Sequence, residues 1–331
     1  MSSKNPLPRW RGFNLLYFFS AGRTEDPRED DFRWIADWGF DFVRLPMSYR
    51  LWTEENDPCA MKEDVLEKVD LAVELGRKHG IHMNVNLHRG PGYCVNWREP
   101  EPFDLWKDDD ALDAFCAHWE MFATRYKGIS FEEVSFNLLN EPPAVSDEKM
   151  TAERHAHVMR TATEKIRAID PDRLIIADGT AWATVPVPEL TDLGIAQSCR
   201  AYKPAGLSHY LAPWAGGEEY PVPTWPGSPE HGVSWDRAKL EEMYGRWAAL
   251  IEQGIGVHCG EGGSWCKTPH EVFLAWFRDC LEILTSHGIG YALWNFRGSF
   301  GILDTEREDV DYADWHGHKL DRKLLDLLKE F

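Results

Sequence analysis

The stretch DVLEKVDLAVELGRKHGIHMNVNL, residues 64–87, changes its period halfway along. Val65, Leu66, Val69, Ala72, Val73 and Gly76 recur at helical spacing, so Asp64–Lys78 is predicted as a helix with one apolar face. Arg77, Lys78 and His79 stand before Gly80: cations against the negative end of the helix dipole, then a residue that tolerates a left-handed turn. Ile81–Leu87 follows as a strand. Phe42-Val-Arg-Leu45 is a short β-like run upstream, so the segment from 42 to 87 is a strand–helix–strand unit.

The same alternation extends in both directions. A buried first strand is expected within Gly12–Phe19. Downstream come a helix bearing Leu112, Phe115, Cys116, Trp119, Phe122, Ala123 and Tyr126, a strand Val134–Leu139, and a helix Thr151–Ile169 that stops at Asp170-Pro171. Leu174–Ala177 is the fifth strand, followed by a weakly marked helix at Pro188–Leu193, and Leu207–Tyr210 is assigned as the sixth strand. A helix through Leu240, Met243, Tyr244, Trp247, Leu250 and Ile251 leads to a strand at Ile255–Gly260. Thr268-Pro-His-Glu271 carries an N-cap, a first-turn proline and a capping-box glutamate for the next helix. Ile289–Trp294 and Leu320–Phe331 are the last strand and helix. Eight strands alternating with helices, with no linker and no Gly-rich phosphate fingerprint, predict an α/β fold: one (β/α)8 TIM barrel spanning residues 1–331 as a single catalytic domain.

Composition narrows the partners. Lys and Arg total 36 against 55 Asp and Glu, a net charge of −19, which repels nucleic-acid phosphates and anionic lipid surfaces. No apolar run reaches the roughly 18 residues of a membrane helix. The basic and then apolar N-terminus is broken by Pro6, Pro8 and Asn14, so it is expected to be a strand and not a leader. Seven Cys without a CxxC pair predict free thiols and a reducing, cytoplasmic setting, and a monomer is expected. The 16 Trp exceed what a core needs. Trp97, Trp106, Trp214, Trp225, Trp235 and Trp265 fall in loops expected near the barrel mouth, where two or three should stack on sugar rings and the rest pack loops.

In a (β/α)8 barrel the chemistry lies at the C-terminal strand ends. Those positions hold Arg44 (second), His88 (third), Asn140 and Glu141 (fourth), His209 and Tyr210 (sixth), Glu261 (seventh) and Trp294 (eighth). The fourth and seventh strands of a barrel face each other, so Glu141 and Glu261 are candidates for a carboxylate pair that cleaves a glycosidic bond. A separation of about 5–5.5 Å would imply retention, with one Glu protonated and the other ionised. Arg44 is the expected counter-charge for Glu261. Each residue also has an ordinary alternative: solvated carboxylates, a structural Arg, core histidines, a packing Trp. His155 and His157 are two apart on a helix and face different ways, His316 and His318 flank Gly317 in a loop, and Cys259 has no partner His.

The series Phe42-Val-Arg-Leu-Pro46, Asn86-Leu-His88, Leu139-Asn-Glu-Pro142, His209-Tyr210, Gly260-Glu261 and Leu293-Trp-Asn295 resembles the motifs of glycoside hydrolase family 5, the cellulase-like barrels, over nearly the whole chain. The resemblance implies a retaining β-glycosidase without metal or cofactor. It implies Glu141 as acid/base, Glu261 as nucleophile, Tyr210 as hydrogen-bond donor to Glu261, and His209 as the residue that orients Glu141. Asn140 would hold the sugar 2-hydroxyl, Arg44 and His88 would position Glu261 and the sugar, and Trp294 would form the subsite floor. The first substrate expectation is a β-1,4-glucan or its oligosaccharides; a mannan, exo-glucosidase or glycolipid substrate would suit the same residues. A non-catalytic carbohydrate-binding barrel and a metal-dependent barrel hydrolase are the rivals from other classes.

Overall fold

The computed structural model describes residues 4–20, 22, 24–54, 57–96 and 100–331. Eight parallel strands occur in chain order with helical segments between them, so the fold class is the (β/α)8 barrel. The strands are β1 (Arg11–Asn14), β2 (Phe42–Ser48), β3 (His82–Gly90), β4 (Val134–Asn137), β5 (Leu174–Asp178), β6 (Ala196–Ala201), β7 (Val257–Gly262) and β8 (Gly290–Leu293). The main helices are α1 (Glu29–Asp37), α2 (Glu63–Lys78), α3 (Asp109–Arg125), α4 (Ala152–Ile169), α5 (Arg237–Glu252), α6 (His270–Ser286) and α7 (Arg322–Glu330). No helix among the described residues is long and apolar enough to cross a membrane.

Contacts divide the chain into two compact units, residues 16–198 and residues 1–15 with 199–331. In the first, β2, β3, β4 and β5 pair in parallel, with Leu45, Val85, Phe136 and Ile175 level with one another. All four are buried, as expected of parallel strands covered on both faces. Helix α2 packs on β3 with no clearance: a Cβ on Gly76 would lie 2.0 Å from Met83 Sδ. That contact explains a helix-weakening glycine inside an otherwise strong helix. Arg173 closes the bottom of this unit. Its guanidinium donates to the carbonyls of Val134, Tyr126 and Ile129 and to Asp170, so a buried charge is fully hydrogen-bonded.

In the second unit, β1 pairs with β8 and β8 with β7. Asn5 ties the N-terminal segment on, donating to Val257 O and Gly288 O and accepting from Val257 N. Of the 16 Trp, Trp52, Trp119, Trp247 and Trp276 are fully buried and four more are buried, so half of the Trp are taken up in the interior. Cys116 and Cys280 are buried on their helices, and all seven cysteines are free thiols.

Two expectations are corrected. The sixth strand is Ala196–Ala201, and Leu207 lies in a helical turn, Ala205–Ser208, whose Leu207 and Ser208 N–H groups donate to Pro204 O. The true strand carries Gln197, Ser198 and Arg200 and so has no apolar signature, although every residue in it is buried. Gln197 is satisfied by a two-way clamp on the Val187 backbone, N–H and carbonyl both. The capping box at Thr268 does not form. Pro269 is the N-cap, Thr268 donates its hydroxyl to Leu207 O, and the first helical N–H, that of His270, donates to Asp309 instead. The weakly marked helix after β5 is a 3-10 segment at Pro188–Leu193.

Candidate active site

Each unit carries one of the two strand-end glutamates. Glu261 lies on β7 and is buried, with 2% of its surface exposed. Arg200 on β6 brings Nη2 to 3.3 Å from Glu261 Oε1, and the Tyr202 hydroxyl donates to Oε2 at 3.1 Å. Arg200 and Tyr202 are two residues apart in extended chain, so both point the same way, and both oxygens of the carboxylate are engaged. Arg200 is itself fully buried, a placement that a guanidinium tolerates only beside an anion.

The tyrosine expected on Glu261 was Tyr210; the structure puts Tyr202 there. Tyr210 is half-buried just after the helical turn, its N–H donating to Leu207 O. The error follows from the misplaced sixth strand: two Tyr fall within nine residues, and only the one that continues β6 can reach β7. His209 sits against Tyr202 edge-on, ring centroids 5.2 Å apart, with Nδ1 2.8 Å from Ser208 Oγ. Burial, and then the charge of Lys203, push its pKa down to about 4, so it is neutral at neutral pH. Its shown contacts thus serve the tyrosine on Glu261. Trp294 follows β8, half-buried, its N–H donating to Gly262 O at 2.7 Å next to the end of β7.

Glu141 lies just beyond β4 in the left-handed region, φ +49, where a non-glycine residue is strained. Its backbone is held on both sides. The N–H donates to Asp178 Oδ2 at 3.0 Å, and the carbonyl accepts from the Tyr93 hydroxyl at 2.6 Å. Burial first, and then the charge of Glu141, push the Tyr93 phenol well above its ordinary range, so it remains a donor. Gly92 sets Tyr93 in place: a Cβ there would meet Leu105 N at 2.6 Å, and its φ is +82.

Arg44, fully buried on β2, donates to Asn137 Oδ1 and Asn140 Oδ1, each at 2.9 Å, and lies 3.9 Å from Asp178 Oδ2. Asn137 in turn donates to Asp178 Oδ1. Arg44, Asn140 and Glu141 are therefore brought into one network, organised by Asp178. His88 is buried near the end of β3 with the Phe19 ring edge-on at 4.6 Å.

Sequence reasoning missed Arg200, Tyr202, Asp178, Tyr93 and Trp182. Asp178 was one residue beyond the assigned end of β5, and an acid at that place was the available signal. Trp182, 53% exposed, lies four residues past the end of β5. Among the loop Trp, Trp106 is buried against Tyr93 and His155, and Trp225 donates to Asp279, so both pack loops. Trp214 and Trp265 meet at 4.6 Å and border Phe300, and Trp214 is 43% exposed. Trp235 is half-buried, and Trp97 lies outside the described residues.

Glu261 is thus buried and donor-bound on β7, and Glu141 is held by its backbone just beyond β4. Residues 2–299 match the cellulase family, glycosyl hydrolase family 5, and the chain belongs to that family. It is similar to cellodextrinase A of Ruminococcus flavefaciens, 28% identical over 275 residues, covering 79% of this chain and 76% of that protein. It is also similar to endoglucanase C of Acetivibrio thermocellus, 25% identical with 85% and 88% covered. The crystal structure of a glycoside hydrolase superposes with a TM-score of 0.94 at 41% identity, covering 97% of this chain and 99% of that one. The protein is a cellulase-like glycoside hydrolase, and its substrate is a carbohydrate.

Proposed function

We propose that the enzyme is a retaining β-glycosidase acting on β-1,4-glucan or its oligosaccharides. The observation that carries the reading is the pair of donors on Glu261, which aims a carboxylate oxygen without rotational freedom. In the first step that oxygen attacks the anomeric carbon, the bond to the leaving oxygen breaks, and Glu141 gives its proton to that oxygen. In the second, Glu141 takes a proton from water, the water oxygen bonds to the anomeric carbon, and the ester to Glu261 is released. Atoms and charge balance with two carboxyl groups and water. In this reading Asn140, fixed by Arg44, holds a sugar hydroxyl and Trp294 floors the subsite.

The cellodextrinase and endoglucanase relatives favour glucan among the β-glycans. Turnover on cello-oligosaccharides, mannan, xylan and aryl β-glycosides tests the choice. kcat/KM on cello-oligosaccharides should exceed that on mannan or xylan by tenfold or more, about 1.4 kcal/mol of discrimination. Faster cleavage of mannan or xylan would replace the substrate and leave the mechanism standing.

A further inference from the structure

We infer that the left-handed turn Ala181–Ala183 is the positioning element of the acid/base loop, an assignment that rests on the reading of Glu141 above. Ala181, Trp182 and Ala183 have φ of 52, 58 and 54, three consecutive residues with side chains in a conformation L-residues avoid. Such strain persists only where the surroundings over-determine it. Here Thr180 and Val185 exchange backbone hydrogen bonds in both directions, the Ala183 N–H donates to Gly179 O, and the Thr184 hydroxyl donates to Ala181 O at 2.6 Å.

The turn spends its two outward N–H groups on the loop that carries Glu141. Ala181 donates to Pro143 O and Trp182 to Pro142 O, each at 3.1 Å. Two prolines after Glu141 have no N–H of their own, so their carbonyls are the backbone's remaining handles, and the turn takes both. With Tyr93 on the Glu141 carbonyl, three successive carbonyls are held. A carboxyl group that must meet a leaving oxygen within a few tenths of an ångström needs this restraint, because its own φ is unfavourable and would relax.

Relaxing the turn should therefore damage acid catalysis selectively. Ala181→Val puts a β-branched side chain where φ is +52 and so pushes the backbone out of the left-handed turn, and Thr184→Val removes the hydroxyl lock. Each is compared with the unaltered enzyme for kcat/KM on cellotetraose, whose leaving group needs a proton, and on 2,4-dinitrophenyl β-cellobioside, whose leaving group does not. The expected result is a fall of about tenfold on cellotetraose and under twofold on the aryl substrate, within the ~10²-fold scale of a misplaced catalytic group. Thermal unfolding of both variants checks that they fold. An equal fall on both substrates, or none on either, overturns the inference. Trp182→Ala keeps the N–H and removes the ring, and the same selective loss there would assign the effect to the indole instead. Glu141→Ala is run alongside: leaving-group dependence in it but not in Ala181→Val removes the inference alone, and its absence from Glu141→Ala removes both readings.

Discussion

Glu261→Gln should lower kcat by on the order of 10⁴-fold or more on every substrate, the scale seen when a nucleophile is removed. The amide has no anionic oxygen to attack the anomeric carbon, so good and poor leaving groups should suffer alike. Arg200 and Tyr202 both donate to the present carboxylate. The glutamine can offer its oxygen to one of them and must turn its NH₂ toward the other, so one donor is left opposed. Leaving a buried donor unmet costs about 1–3 kcal/mol, and the variant should unfold at a lower temperature while still binding oligosaccharide. Calorimetric binding with abolished turnover is the expected pair of results. Turnover near that of the unaltered enzyme would take Glu261 out of the mechanism.

Glu141→Ala should behave differently. Loss of a general acid costs about 10²–10⁴-fold, and only where the leaving group needs the proton. kcat/KM on a dinitrophenyl glycoside should be nearly preserved while that on an oligosaccharide collapses. The backbone of Glu141, and not its side chain, makes the bonds to Asp178 and Tyr93, so truncation leaves the loop anchored and opens a space at the site of water attack. Azide should enter there, restore turnover of the aryl glycoside and yield a β-glycosyl azide. No rescue, or an α-azide, would deny Glu141 the acid/base role.

Much of this was legible in the chain. The helix at 64–78 and the strand after it announce themselves by period, because amphipathic helices and buried strands need those patterns to bury apolar area. Glu141 and Glu261 were placed by strand position. The gaps have one physical origin: strands near the chemistry carry polar residues facing inward, satisfied by partners that only the fold supplies. β6 is the clearest case. Gln197 and Arg200 break its apolar pattern because Val187 and Glu261 are waiting for them, and a more hydrophobic segment nearby, Leu207–Tyr210, took its place in the assignment. Tyr202 was lost with it. Thr268 was misassigned for a related reason, since a hydroxyl that suits an N-cap also suits the Leu207 carbonyl, and tertiary packing chose the latter. The turn at Ala181–Ala183 has no sequence signal, because left-handed backbone ordinarily announces itself by glycine and this segment has none.

The aromatic excess divides in the same way. Trp119, Trp247 and Trp276 are core, and Trp225 spends its N–H on Asp279. Among the described residues Trp182 and Trp214 are the exposed Trp, and Trp294 is half-buried beside β7.

The central claim is a double displacement through Glu261, and the configuration of the first-formed product tests it most directly. Proton NMR of a cello-oligosaccharide digest, recorded before mutarotation, should show the β-anomer appearing first and the α-anomer only as the sugar equilibrates. An α-anomer formed first would mean a single displacement by water, and would contradict the account.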